Sequence, residues 1–136
     1  MLSGDAEAAV DVLLVSIGAL ADRAVTAAEQ LRAQHPALNV LVLDPVQALP
    51  LSPALLEFAA SARAVVTLED GLGERGIGAA LAAALGRRAT LSAPAPVVRT
   101  LGIALEFIPH AKRDAILTAQ GLDAAGIAAT LEELVG

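Results

Sequence analysis

Apolar and polar positions along this chain alternate between two rhythms. Short β-branched or leucine-rich runs read as buried strands over Asp11–Ser16, Asn39–Asp44, Arg63–Thr67 and Val97–Ile103. Between them lie segments with helical spacing. The first, Ala19–Gln34, repeats Ala21, Val25, Ala28 and Leu31 on one face, and His35-Pro36 stops it because proline disfavours helix in the residue before it. Ser52-Pro53 starts a second helix that runs to about Ala62: serine caps free N–H groups and proline fits the first helical position. A third spans Gly76–Leu85, and two short helices, Arg113–Ala119 and Asp123–Leu134, follow with Gly121 as the stop between them. The loop Gly86–Pro96 separates the third helix from the last strand. Strands alternating with helices predict an α/β fold, a three-layer α/β/α domain built on a mainly parallel sheet with right-handed crossovers.

The densest segment is Val65-Val-Thr-Leu-Glu-Asp-Gly-Leu-Gly-Glu-Arg-Gly-Ile-Gly78. It reads as a strand that Glu69-Asp70 ends with charge, then a glycine turn, then a helix. Gly71, Gly73, Gly76 and Gly78 with Arg75 stand at that helix N-terminus, where free N–H groups and the helix dipole favour an anion. No Gly-Lys-Ser/Thr follows, so the turn is not a P-loop, and the glycines equally suit close packing of helix on sheet.

At 136 residues the chain is one domain with room for a core, and 56% of it is apolar. The 32 alanines predict tight packing of small side chains. There is no cysteine, which excludes a disulfide framework and thiolate metal ligands. A net charge of −6, one lysine and two aromatic residues argue against nucleic-acid binding, which needs clustered cations and stacking rings. No apolar run approaches the ~18 residues of a membrane span. The start, Met1–Ala9, lacks the basic and apolar regions of a signal peptide, so a cytoplasmic location is expected.

Three carboxylates, Asp44, Glu69 and Asp70, stand at the C-terminal ends of expected strands, the edge where open α/β sheets bind ligands. Converging near Ser16-Ile17-Gly18, they would suit Mg²⁺ or a phospho-acceptor; the plainer reading is that polar residues mark where strands meet water. Lys112 lies in the tail, wrong for a receiver-type site. His35 sits in a helix-ending step. His110 follows Phe107-Ile-Pro109 and opens a basic group with Lys112 and Arg113, with no nucleophile or pocket beside it. No histidine pair has metal-ligand spacing, and no serine sits in a nucleophile elbow. The residues therefore offer no catalytic centre, no cofactor-binding residue and no metal ligand set. The candidate interface or anion contacts are Glu69, Asp70, Arg75, Gly76, Phe107 and His110.

The order and spacing of five segments carry a resemblance: Val12-Leu-Leu-Val-Ser-Ile-Gly-Ala19, Asp44-Pro45 with Leu49-Pro50-Leu51, the glycine turn, Phe107-Ile-Pro-His110 and Gly121-Leu-Asp-Ala-Ala-Gly126. Together they resemble the C-terminal domain of 1-deoxy-D-xylulose-5-phosphate synthases, relatives of transketolase, over Asp11 to Leu134. Gly71 stands where that family tends to have Asn, and Arg75 replaces a glycine. The resemblance implies a transketolase C-terminal domain-like fold over 11–136, with 1–10 a remnant or an edge strand beside Asn39–Asp44, and a strand order 2-1-3-4. It implies a full-length transferase that joins pyruvate, with loss of CO₂, to glyceraldehyde 3-phosphate for isoprenoid biosynthesis. Thiamine diphosphate and Mg²⁺ would sit in other domains, and this one would be inactive alone while helping to hold a homodimer. The corresponding docking domain of transketolase or of a 2-oxo-acid dehydrogenase β-subunit, and an unrelated phosphate-binding α/β domain, are the alternatives. Partners expected are the remaining domains of the synthase, with neither nucleic acid nor membrane among them.

Overall fold

A computed structural model describes residues 1–47, 49–72, 76–103 and 112–136. In chain order the elements are β1 (Val12–Ile17), α1 (Ala21–Gln34), β2 (Val40–Leu43), α2 (Pro53–Ser61), β3 (Ala64–Leu72), α3 (Ile77–Arg88), β4 (Val97–Ile103), α4 (Arg113–Ala119) and α5 (Ala124–Val135). The four strands are parallel and ordered β2-β1-β3-β4, the order expected.

Because successive strand side chains point to opposite faces, the apolar runs supply two cores at once. Val12, Leu14, Val40, Val42, Val66 and Leu68 face α1, α4 and α5, while Leu13, Val15, Leu41 and Val65 face α2 and α3. Val12 to Val15 are all fully buried, so truncating one of the leucines, such as Leu14→Ala, removes a contact that costs about 2–5 kcal/mol. Small side chains bring α1 close to the sheet and to α5: Ala24, Ala27 and Ala28 have no exposed surface. The buried face of α1 is thus Ala24, Ala27, Ala28 and Leu31, turned from the expected one; Ala21 and Val25 flank it, half-buried.

Local chemistry explains the element ends. Ser52 Oγ accepts the Leu55 N–H at 3.1 Å and Pro53 opens α2. In Gly121-Leu-Asp-Ala-Ala-Gly126, Gly121 adopts φ +69, which ends α4, and Asp123 Oδ1 accepts the Gly126 N–H at 2.8 Å, which starts α5. A Cβ on Gly126 would lie 2.6 Å from the Gly121 carbonyl oxygen, so the motif is a tight helix-to-helix corner. Helix α3 runs past the expected Leu85 to Arg88, and Arg87 and Arg88 in its last turn suit the negative end of the helix dipole.

The larger departure is in β3. It does not stop at Glu69-Asp70 but continues to Leu72, with a register shift against β4 between Leu68 and Leu72. Charge ends a strand when it must reach water. Here Glu69 finds partners inside the fold and Asp70 finds Arg113 at its surface.

The N-terminal residues lie along the outer edge of β2. Ser3 forms an antiparallel bridge with Val42, in which the Val42 N–H donates to the Ser3 carbonyl at 2.8 Å and the Leu2 N–H to the Val42 carbonyl at 2.8 Å. Gly4, at φ +106, leaves no room for a side chain: a Cβ would sit 2.6 Å from the Val40 carbonyl oxygen. Arg32 reaches from the last turn of α1 to Ser3 Oγ (2.8 Å) and to the Val40 carbonyl (2.6 Å).

Candidate functional site

Glu69 lies near the end of β3 on the face covered by α3, and it is 6% exposed. Its Oε2 accepts the Ile77 N–H at 2.8 Å and its Oε1 the Gly78 N–H at 2.7 Å. These are free donors of the first turn of α3, where a negative charge also meets the positive end of the helix dipole. The site that composition marks as an anion cradle therefore holds the chain's own carboxylate.

The glycines make that approach possible. A Cβ on Gly76 would lie 1.8 Å from Glu69 Oε2, and one on Gly78 would lie 2.2 Å from Thr67 Oγ1 and 2.3 Å from the Thr100 methyl. Gly76 has φ −91, an ordinary value, so its requirement is space and not backbone conformation. Among the described residues Thr67 Oγ1 is buried there without a hydrogen-bond partner, as is Ser16 Oγ on the opposite face of the sheet.

Asp70, the next residue, points to the α1 side, where its carboxylate pairs with the Arg113 guanidinium at the start of α4. Beside it Gly18 adopts φ +86, and a Cβ there would meet the Asp70 Cβ at 3.7 Å. Arg23 of α1 adds a second link to α4, its Nη2 donating to Asp114 Oδ1 at 2.7 Å. Half-exposed pairs of this kind contribute ~0–1 kcal/mol each, and their effect here is to orient α4.

The structure does not bring Asp44, Glu69 and Asp70 together. The last two diverge to opposite faces, and Asp44 Oδ1 accepts the Val46 N–H at 2.9 Å in its own turn. Among the described residues no group of three or more His, Cys, Asp or Glu side chains could hold a metal ion. Gly76 stands against Glu69 as described, while Arg75, Phe107 and His110 lie outside the described residues. His35, in the step that ends α1, bridges to α5: its Nε2 lies 2.8 Å from Glu132 Oε1.

A second carboxylate cluster at the opposite end of the sheet has no signal in the local pattern. Asp11 Oδ2 accepts the Asn39 N–H at 2.9 Å, and Asp11 Oδ1 accepts from Arg63 Nη1 at 3.0 Å. The Asn39 side chain in turn donates to the carbonyls of Asp5 (2.7 Å) and Ala9 (3.2 Å). The Asn39 N–H, followed by the Arg63 guanidinium, holds the Asp11 carboxyl below the usual carboxylate range against the opposing effect of burial.

Residues 5–127 match the family model described as transketolase, C-terminal domain. The chain belongs to the transketolase C-terminal domain family. Among similar proteins, the 1-deoxy-D-xylulose-5-phosphate synthase of Thermobifida fusca (strain YX) is 43% identical over 127 residues, which cover 93% of this chain and 19% of that one. The 1-deoxy-D-xylulose-5-phosphate synthase 1 of Kitasatospora griseola is 44% identical over 121 residues, 89% of this chain and 18% of its own length. The chain thus spans about a fifth of the length of these relatives. A solved structure described as a split gene transketolase, inactive beta4 tetramer, superposes with a TM-score of 0.78 at 27% identity over 98% of this chain and 42% of its own.

Thiamine diphosphate with a divalent cation, which the resemblance implies for a full-length synthase, does not fit the donors described here. Both oxygens of Glu69 are bound to backbone N–H groups that would otherwise receive a phosphate, Asp70 is held by Arg113, and Asp44 closes its own turn.

Proposed function

We propose that this domain is the non-catalytic, assembly-supporting C-terminal part of a thiamine-diphosphate-dependent 1-deoxy-D-xylulose-5-phosphate synthase. The observation that carries the reading is the match itself: nearly all of this chain aligns with less than a fifth of each synthase, the span of one domain. In the whole enzyme, other domains would hold the cofactor and Mg²⁺ and join pyruvate to glyceraldehyde 3-phosphate in the cytoplasm. This domain would bear on its neighbours and on a second subunit. The self-satisfied carboxylates support that division, since a group bound to the chain's own backbone is not available for proton transfer.

Two experiments test it. Replacing the matching segment of the Thermobifida fusca synthase with this chain is expected to give an active dimer; a soluble but inactive or monomeric chimera would overturn the reading. Calorimetric titration of this chain with thiamine diphosphate and Mg²⁺ is expected to give no heat of binding, and micromolar affinity would mean that the domain takes part in the chemistry. A separately encoded subunit is a second reading, favoured by the structural neighbour described as a split gene transketolase. It predicts that this chain restores activity when added in trans to a synthase lacking its last domain.

A further inference from the structure

The two edges of the sheet are treated differently. At β2 the N-terminal residues bridge Val42, and Arg32 occupies the free carbonyl of Val40, so that Val40, Leu41 and Val42 are all buried. At the other end, β4 pairs with β3 alone among the described residues, and none of its seven residues is fully buried. Val97 is 58% exposed. Leu101 and Ile103 on the same face are half-buried, as are Leu134 and Val135 of α5. Among the described residues nothing pairs with that outer row of backbone donors and acceptors, and such a row beside apolar side chains is a template for another strand.

We propose that the outer edge of β4 pairs antiparallel with β4 of a second copy of this chain, joining two sheets across a two-fold axis. The proposal rests on the assembly reading above and names the surface responsible. Charge selects the occupant. The chain carries −6, yet from Thr90 to Ile103 its only charged side chain is Arg99, so two β4 edges can pair without a carboxylate of either strand facing the other. With the axis at Thr100, Arg99 stands opposite Leu101 and Val97 opposite Ile103, so the cations do not face each other and the apolar residues of the two copies form one strip. Symmetry sets the limit. An isologous pairing uses both open edges, and the β2 edges are covered, so growth stops at two. Seven residues of edge bury less than a standard interface, so the pairing is expected to be weak and concentration-dependent.

Sedimentation equilibrium of the 136-residue chain, read by interference because it has no Trp or Tyr, combined with hydrogen exchange tests the pairing. The mass is expected to rise with concentration from 13.7 kDa to twice that and no further, while β4 amides gain protection. Val97→Asp, at a half-exposed site that does not threaten folding, should weaken association at least ~10-fold by placing a carboxylate against the partner's Ile103. Val46→Asp, 97% exposed beyond β2, should leave it unchanged. A dimer whose β4 amides exchange as fast as in the monomer, or one that tolerates Val97→Asp, overturns the β4 pairing and leaves the assembly reading intact. A mass fixed at 13.7 kDa up to millimolar concentration overturns the pairing; if the chimera is also monomeric, the assembly reading falls with it.

Discussion

Two carboxylates in this domain do the same chemistry at opposite ends of the sheet and differ in what surrounds them. Glu69 is nearly inaccessible, its two oxygens each bound to a helix N–H, with glycines at the two places where a Cβ would intrude. Asp11 also accepts a backbone N–H, but its side chain is 23% exposed and its second partner, Arg63, is 74% exposed. Water can replace what Asp11 provides. At Glu69, water would have to enter a space that the glycines and threonines keep closed. The same hydrogen bond is therefore worth more where its loss leaves buried donors unsatisfied.

The largest expected effect follows from that difference. Glu69→Ala strands two N–H groups of α3 and removes the charge at the positive end of its dipole, so it should destabilise the domain by about 2–4 kcal/mol. Urea unfolding followed by far-UV circular dichroism measures this, and a loss below that of Asp11→Asn would break the comparison.

A sharper test separates the two glycines. The three atoms nearest a Cβ on Gly76 all belong to Glu69, whereas the two nearest one on Gly78 belong to Thr67 and Thr100. Each substitution to alanine should cost about 1–3 kcal/mol in the native background, as overpacking does. With Glu69→Ala already present, Gly76→Ala should cost nothing further, while Gly78→Ala should keep most of its cost. Equal coupling for both would mean that the carboxylate is not what Gly76 makes room for.

How much of this was legible in the sequence depends on the range of each interaction. The strands and helices were, because a strand buried on both faces must be apolar throughout and because Ser52, Gly121 and Asp123 act within their own turns. The family motifs placed the strands in order. The length of β3 was not legible: Glu69-Asp70 looks like a polar stop until its partners are known, and those are α3 amides across a glycine turn and an arginine 43 residues away. The roll of α1 is not legible for a similar reason. In an alanine-rich helix many faces are equally apolar, and contact with α5 chooses Ala24 and Ala27. The Asp11, Asn39 and Arg63 cluster joins three strand starts and has no spacing that could announce it.

The smallest effect belongs to that cluster and carries a defined pH dependence. Asp11→Asn removes the charge that accepts from Asn39 and Arg63 while keeping the shape, and with water reaching the site the loss should be only about 0.5 kcal/mol at neutral pH. The folded-state pKa of Asp11 is lowered, chiefly by the Asn39 N–H and secondarily by Arg63, so the folded protein binds its proton less readily than the unfolded chain does. Its contribution is therefore complete above the unfolded carboxyl value of about 4 and disappears as pH falls through the lower folded value. The native chain and Asp11→Asn should accordingly differ by a constant amount from neutral pH to about pH 5, then converge as the medium becomes more acid. Urea midpoints of both proteins across that range read it directly. A gap that widens on acidification would mean that burial, which pushes the carboxyl the other way, outweighs the Asn39 amide.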